Sequence, residues 1–280
     1  MKLYPINAGS FKLDGGAMFG VVPKVLWQKI YPADESNLCT WALRCLLVEI
    51  EDKKILIDTG IGDKQGEKFT GNYHIENNKN FDLLLSEFGH KPEDITDVIF
   101  THLHFDHCGG AVKKNTEKTG FEPVFKNAIH WVSKQQWDLA NNPNQREKAS
   151  YLKENYLPLM ENGLIKFIES DAQLYKEISL KLFSGHTDGQ IIPFINYHGK
   201  TIVYMADFIP TAVHLPLPYV IGYDTRPLVT LTEKEKFLNE ALENNYTLFF
   251  EHDYYRECCS LIKTEKGIKA DKTFNLSDFV

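Results

Sequence analysis

Apolar and polar positions along the chain alternate between short strand-like runs and stretches with helical spacing. Residues 41–50 and 54–58 are apolar-rich and flank the polar turn Glu51-Asp52-Lys53, the pattern of a β-hairpin. Residues 81–88 carry apolar side chains at helical spacing, with Asn80 placed to cap the start and Gly89 to stop the end. Asp97-Val98-Ile99-Phe100 predicts a short buried strand, and residues 128–132 another. Helices are predicted over 133–140 and from 145 to about 157, on either side of Asn142-Pro143. Strands are predicted at 178–183, 191–197 and 201–205, the last two joined by a His198-Gly199 turn, and at 246–250. Thr232-Glu233-Lys234-Glu235 matches a capping box and predicts a helix from there to about Glu243. Strands in runs, with helices between the runs, predict a mixed α/β (α+β) chain with two sheets covered by helices.

The chain has 280 residues, 43% of them hydrophobic, enough for a full core, and a single domain over residues 1–280 is expected. The balance of 31 Lys and Arg against 38 Asp and Glu gives a net charge of −7, which argues against nucleic acid as a partner. Five cysteines, odd in number and irregularly spaced, do not form a disulfide framework. No run is long and apolar enough to span a membrane, and the first residues lack the apolar stretch of a signal peptide. The expectation is a cytoplasmic protein with no membrane partner.

The candidate chemistry is concentrated in Thr101-His102-Leu103-His104-Phe105-Asp106-His107, directly after the strand at 97–100 and directly before Cys108-Gly109-Gly110, a turn signal. Imidazole and carboxylate are the usual protein ligands of zinc and neighbouring metals. Three more donors follow strand-like runs in the same way: His186 after 178–183, Asp207 after 201–204, and His252 after 247–249. Together they make a set of seven, His102, His104, Asp106, His107, His186, Asp207 and His252. One zinc needs three or four ligands, so seven suit two metals that share a carboxylate and keep open positions for water and substrate. Zinc is the expected metal, with iron or manganese as alternatives that an all-nitrogen-and-oxygen donor set accepts. Cys108 reads as a small buried residue, because the ligand set is complete without it. His74, His90, His130 and His198 have no partner pattern and read as structural or surface residues.

The ordered set His102-x-His104-x-Asp106-His107, His186, Asp207 and His252 resembles the metallo-β-lactamase superfamily, as does Asp58-Thr59-Gly60 after a strand. The resemblance covers nearly the whole chain. It implies an αββα sandwich in which His102, His104 and His186 bind one metal, Asp106, His107 and His252 bind the other, and Asp207 bridges. It implies that Asp58 accepts a hydrogen bond from a ligand histidine. Aspartate at 207, where classical β-lactamases often have cysteine, weakens the antibiotic reading, and His104, where oxygen-reducing di-iron members have glutamate, favours hydrolysis. Glyoxalase II-like thioesterases carry basic residues in a C-terminal helical region that this chain lacks.

The segment from Gly15 through Leu26-Trp27, with Asp207-x-Ile209-Pro210-Thr211, His214-Leu215-Pro216 and Gly222-Tyr223-Asp224, is similar to the quorum-quenching N-acyl-homoserine-lactone lactonases and the related methyl parathion hydrolases. The chain departs from that pattern at Pro210, where the best-known lactonases place a tyrosine aimed at substrate. The expected activity is therefore opening of lactone rings by a metal-bound hydroxide, with Asp106 as the catalytic residue that handles the proton and with the metals in place of the tyrosine. The alternatives are a phosphotriester or aryl-ester hydrolase on the same site, and a non-catalytic metal-binding module. The partner is an apolar small-molecule ester or lactone, and a homodimer is compatible. Met18, Phe19 and Trp27, in a Gly-punctuated stretch without clear periodicity, read either as core or as an apolar loop lining the substrate pocket, and His214 as a substrate contact or a backbone cap.

Overall fold

The computed structural model describes residues 1–279. The described chain divides into two compact units, one made of Met1–Phe11 and Leu43–Ser170, the other of Lys12–Ala42 and the residues from Asp171 on. Among the described residues the chain order begins with β1 (Lys2–Asp14), β2 (Leu38–Ile50), β3 (Lys53–Ile57) and β4 (Asp97–Ile99), then a two-stranded ribbon of β5 (Val112–Lys114) and β6 (Phe121–Pro123), then β7 (Ile129–Ser133) and β8 (Ile165–Ile168). Six of these form one sheet in the order β1-β2-β3-β4-β7-β8. β2 and β3 are the predicted antiparallel hairpin, while β3, β4, β7 and β8 run parallel, with Ile57 opposite Ile99 and Ile99 opposite Trp131. Parallel neighbours need long crossovers, and the chain between β3 and β4 supplies one with helices Glu67–Asn72 and Phe81–Ser86.

The second unit carries β9 (Ala172–Tyr175), β10 (Ile178–Phe183), β11 (Gln190–Tyr197), β12 (Lys200–Tyr204), β13 (Thr247–Phe249), β14 (Cys258–Thr264) and β15 (Gly267–Phe274), in the spatial order β15-β14-β13-β12-β11-β10-β9. β11 is antiparallel to both β10 and β12, and β12 is parallel to β13. β10, β12 and β13 therefore all point the same way. The β11–β12 turn at His198 and Gly199 has φ of 50° and 78°, the left-handed pair of a tight hairpin. The helix Pro227–Glu243 lies in this unit, and no helix among the described residues is long and apolar enough to cross a membrane.

One local expectation holds at atomic detail: the Asn80 side chain accepts from Leu83 N and caps its helix. Ser133, expected as the first helical residue, instead caps the helix Lys134–Asn141 by accepting from Gln136 N, and each cap is worth about 1 kcal/mol. Three others are corrected. Residues 145–157 are not one helix but 3-10 turns at Lys148–Ser150 and Lys153–Asn155, followed by a short helix Leu157–Glu161. The long helix begins at Pro227, not Thr232: proline at the first turn costs no hydrogen bond, and the Thr232 hydroxyl donates back to Leu228 O at 3.1 Å inside the helix. The stretch without periodicity at 15–27 forms two short helices, Gly15–Phe19 and Lys24–Trp27, separated by Gly20 at φ 57°.

Candidate metal centre

In each unit the donor residues sit just past the C-terminal ends of parallel-running strands, the edge at which α/β sheets commonly hold ligands. In the first unit, β3 ends before Asp58, and β4 ends before Thr101 and the histidine run. Asp58 adopts φ 55° and turns its carboxylate back onto that run. It accepts from Thr101 N at 2.7 Å and from the Thr101 hydroxyl at 2.7 Å, and it lies 3.1 Å from Nδ1 of His107. The Thr101 hydroxyl lies 3.1 Å from Nδ1 of His102. Asp58 thus touches one histidine ring directly and a second through threonine.

Nε2 of His102 and Nδ1 of His104 face each other at 3.0 Å. Two imidazole nitrogens cannot aim lone pairs at one another without a proton or cation to share, so this pair fits a metal. Nε2 of His107 lies 3.6 Å from the Asp106 carboxylate. On the outer side of His104, Nε2 is 3.7 Å from buried Glu147, which is itself held by the Tyr151 hydroxyl at 3.0 Å and by Asn144. Tyr73 packs on Phe105, and burial first, the Asp106 carboxylate second, hold its hydroxyl above the ordinary value. Cys108 is buried, donates to Leu103 O at 3.4 Å, and burial pushes its thiol up to about 12, which leaves it a core residue as expected.

In the second unit, Asp207 points one oxygen at Nε2 of His186 at 3.2 Å and the other at Nε2 of His252 at 3.0 Å. Ala206, beside it, holds φ 43°, a conformation that non-glycine residues rarely adopt and that tips the Asp207 carboxylate out of the β12 line. The far nitrogens are also engaged. Nδ1 of His252 donates to Ala42 O at 2.8 Å, and Nδ1 of His186 lies 2.9 Å from Asp224. Burial opposes charge on His186, but Asp207 and Asp224 together outweigh it and lift its pKa to about 10. So much negative charge around a buried imidazole is an environment made for a cation. Imidazoles and carboxylates in these surroundings fit borderline divalent ions such as zinc.

The residues expected to line a substrate pocket belong to the same unit, and His214 is close enough to Asp207 and His252 to feel their charge. Phe19 stacks between Trp27 and His214, with ring centroids 4.7 Å away on each side, and Tyr31 stacks on Trp41 at 4.5 Å. His214 is buried, with Nε2 donating to Met18 O at 2.9 Å and Nδ1 accepting from the Thr211 hydroxyl at 2.8 Å, and burial holds its pKa at about 3. Met18, Phe19, Trp27 and His214 are all no more than 3% exposed, which makes them core and a backbone tie. The apolar surface of the segment belongs to Val21, Val25 and Leu26, exposed by 93%, 62% and 51%. Trp27→Ala is expected to lower stability by about 3–5 kcal/mol. Leu26→Ala should stay within about 0.5 kcal/mol. Denaturant midpoints check this, and equal values would remove Trp27 from the core.

Sequence reasoning missed Glu147, Ala42 and, as a partner of His186, Asp224. Glu147 fell in a stretch read as helix, Ala42 acts through its backbone, and Asp224 had only a motif match.

Fold and donor chemistry together define a metal-dependent hydrolase. The chain belongs to the metallo-beta-lactamase superfamily, whose family model matches residues 44–252. It is similar over 281 aligned residues to an N-acyl homoserine lactonase of Bacillus cereus, at 25% identity with 96% of each chain covered. Among solved structures it is similar to a Staphylococcus aureus protein described as a probable metal-dependent hydrolase, with TM-score 0.90, 30% identity, and 98% of this chain and 96% of that one covered. It also shares the fold of AidC, described as a dizinc quorum-quenching lactonase, with TM-score 0.80, 22% identity, and 97% and 94% of the two chains covered.

Proposed function

We propose that the chain is a dinuclear zinc hydrolase that opens the ring of N-acyl-homoserine lactones. The observation that carries this reading is the donor set itself: four of the histidines at the strand ends are backed by acceptors on their outer faces, from Asp58, Thr101, Asp224 and Ala42 O. Such backing fixes tautomers and raises ligand basicity, and it is characteristic of metal sites. His102, His104 and His186 would hold one ion and Asp106, His107 and His252 the other, with Asp207 available to both. The full-length similarity to N-acyl homoserine lactonases supports the lactone as substrate class.

Two such cations, when bound, would supply an acidified water and positive charge for the oxyanion that develops at the carbonyl. The chain's own residues do the rest. Asp106 takes and returns the proton, from a position fixed by the short helix Phe105–Cys108. Pro210 is buried and has no side-chain donor, so no tyrosine contributes to the oxyanion there. Val21, Val25 and Leu26 present the apolar surface suited to an acyl chain.

Metal analysis and a pH-stat screen with zinc-reconstituted protein test the reading. About two zinc ions per chain are expected, with faster hydrolysis of N-hexanoyl-homoserine lactone than of an aryl ester or a phosphotriester. Metal content near zero would remove the dinuclear centre. Faster phosphotriester turnover would replace the substrate class and leave the centre intact.

A further inference from the structure

The loop that carries His186 is gripped by the start of the long helix and the turn before it. Thr225 N and Arg226 N donate to His186 O and Gly185 O, each at 3.0 Å. The Thr225 hydroxyl donates to His186 O at 3.0 Å, and Arg226 Nε to Ser184 O at 2.9 Å. From one turn further on, Glu233 accepts from Ser184 N at 2.9 Å and Gly185 N at 3.0 Å. Gly185 fits so closely that a Cβ there would come within 2.5 Å of Thr230 Cα. All of these contacts fix backbone. Asp224 acts on the ring instead: 2% exposed, it reaches the His186 imidazole, and its second oxygen accepts from the buried Thr230 hydroxyl at 2.6 Å.

We propose that Asp224, oriented by Thr230, is a positioning residue that sets the tautomer and aim of His186 for metal binding. This rests on the dinuclear reading above. An ionised carboxylate can only accept, so the ring nitrogen that meets Asp224 must carry the proton. Nδ1 is thereby made the donor, and the lone pair of Nε2 is directed to the side where Asp207 stands 3.2 Å away. The Thr230 hydroxyl holds Asp224 by its other oxygen, so the carboxylate cannot rotate away from the ring. The loop has its own backbone ties, so the hydrogen bond from the ring to Asp224 is not needed to keep the loop in place. Its role is in the ring.

The test uses the full chain as wild type, Asp224→Ala, Asp224→Asn and Thr230→Val. Zinc affinity is read by competition with a chromophoric chelator, and the His186 tautomer by long-range ¹H–¹⁵N correlation of the zinc-loaded protein. In Asp224→Ala one of the two zinc ions should bind about 10–100-fold more weakly. Asp224→Asn, which keeps an acceptor of the same size, should recover part of that loss, and Thr230→Val should weaken the same ion several-fold. Wild type should show the proton on Nδ1, and Asp224→Ala a mixed or altered signal. Circular dichroism and thermal unfolding of the metal-free proteins establish that the variants are folded. A folded Asp224→Ala that binds both ions within twofold of wild type overturns the proposal. Should Asp224→Ala fail to fold, unchanged affinity in Thr230→Val overturns it instead. A wild type that takes up no zinc overturns the dinuclear reading together with this one. A wild type that loads two ions but opens no lactone overturns only the substrate, and the affinities still decide the role of Asp224.

Discussion

Asp207→Ala is expected to cost more turnover than any single histidine substitution, at least about a thousandfold in kcat/KM, or about 4 kcal/mol. The reason is the sharing of one carboxylate. Its two oxygens meet Nε2 of His186 at 3.2 Å and Nε2 of His252 at 3.0 Å, so its loss removes the one carboxylate that two buried imidazoles face. In the proposed centre the same loss leaves two dications with no anion between them, and Coulomb repulsion in a buried site is far stronger than in water. A histidine substitution removes one ligand of one ion and leaves the bridge standing. The backbone also points to Asp207: the left-handed Ala206 is strain placed directly beside it. Steady-state kinetics with parallel zinc analysis check the expectation, with His198→Asn as the reference. His198 lies in the exposed β11–β12 turn at φ 50°, a conformation asparagine tolerates, and activity there should be unchanged. Similar losses in Asp207→Ala and His107→Ala would remove the bridging role.

The donor set was legible because its signal is local. Each donor follows an apolar run, and a strand end is where a rigid sheet can hold a ligand. Asn80 was legible as a cap for the same reason, since a cap and its first turn are neighbours in sequence. What supports the donors was not legible. Asp224 meets His186 across 38 residues and Ala42 O meets His252 across 210, and neither separation leaves a pattern in a single chain. The misread helix start shows a competition between two valid signals. Thr232-x-x-Glu235 has the form of a capping box, but Pro227 is an equally good first-turn residue, and the chain extends the helix back to it so that Glu233 and Thr230 can face the His186 loop. The segment at 15–27 had no period because its helices are four and five residues long, too short to show one. Without a period, its large side chains could be read either as core or as pocket lining. The ring stacking that buries them depends on Trp41 and His214, which the sequence does not bring near.

Gly109→Ala is expected to disable the protein as thoroughly as losing a ligand, by a different route. Cys108-Gly109-Gly110 read as a turn signal, yet Gly109 has φ −62°, which any residue adopts. The glycine is required by space. A Cβ at Gly109 would lie 2.0 Å from Ile61 O and 2.6 Å from Ile61 C, and one at Gly110 would lie 2.1 Å from Thr59 O. These are backbone atoms, and they are tied. Thr59 N and the Thr59 hydroxyl donate to His107 O at 2.7 and 3.0 Å, and Gly110 N donates to Gly60 O at 3.1 Å. Buried Lys64 donates to Gly109 O and, at 3.0 Å, to Val112 O. The turn that begins at Asp58 and the loop that carries the histidines are zipped together, so one methyl group must push them apart. Overpacking a core costs about 1–3 kcal/mol where side chains can yield, and more where backbone must move. Against a total stability of about 5–15 kcal/mol, the fold is at risk. Any surviving molecule would carry Asp58 and His107 displaced from their 3.1 Å contact. Soluble yield, denaturant midpoint and zinc content should all fall in Gly109→Ala. Gly71→Ala is the matched control, because Gly71 lies in the helix Glu67–Asn72 with nothing within 4 Å of an added Cβ, and it should be neutral or slightly stabilising. Equal behaviour of the two variants would show that the contact with Ile61 gives way, and that the glycine pair is a turn after all.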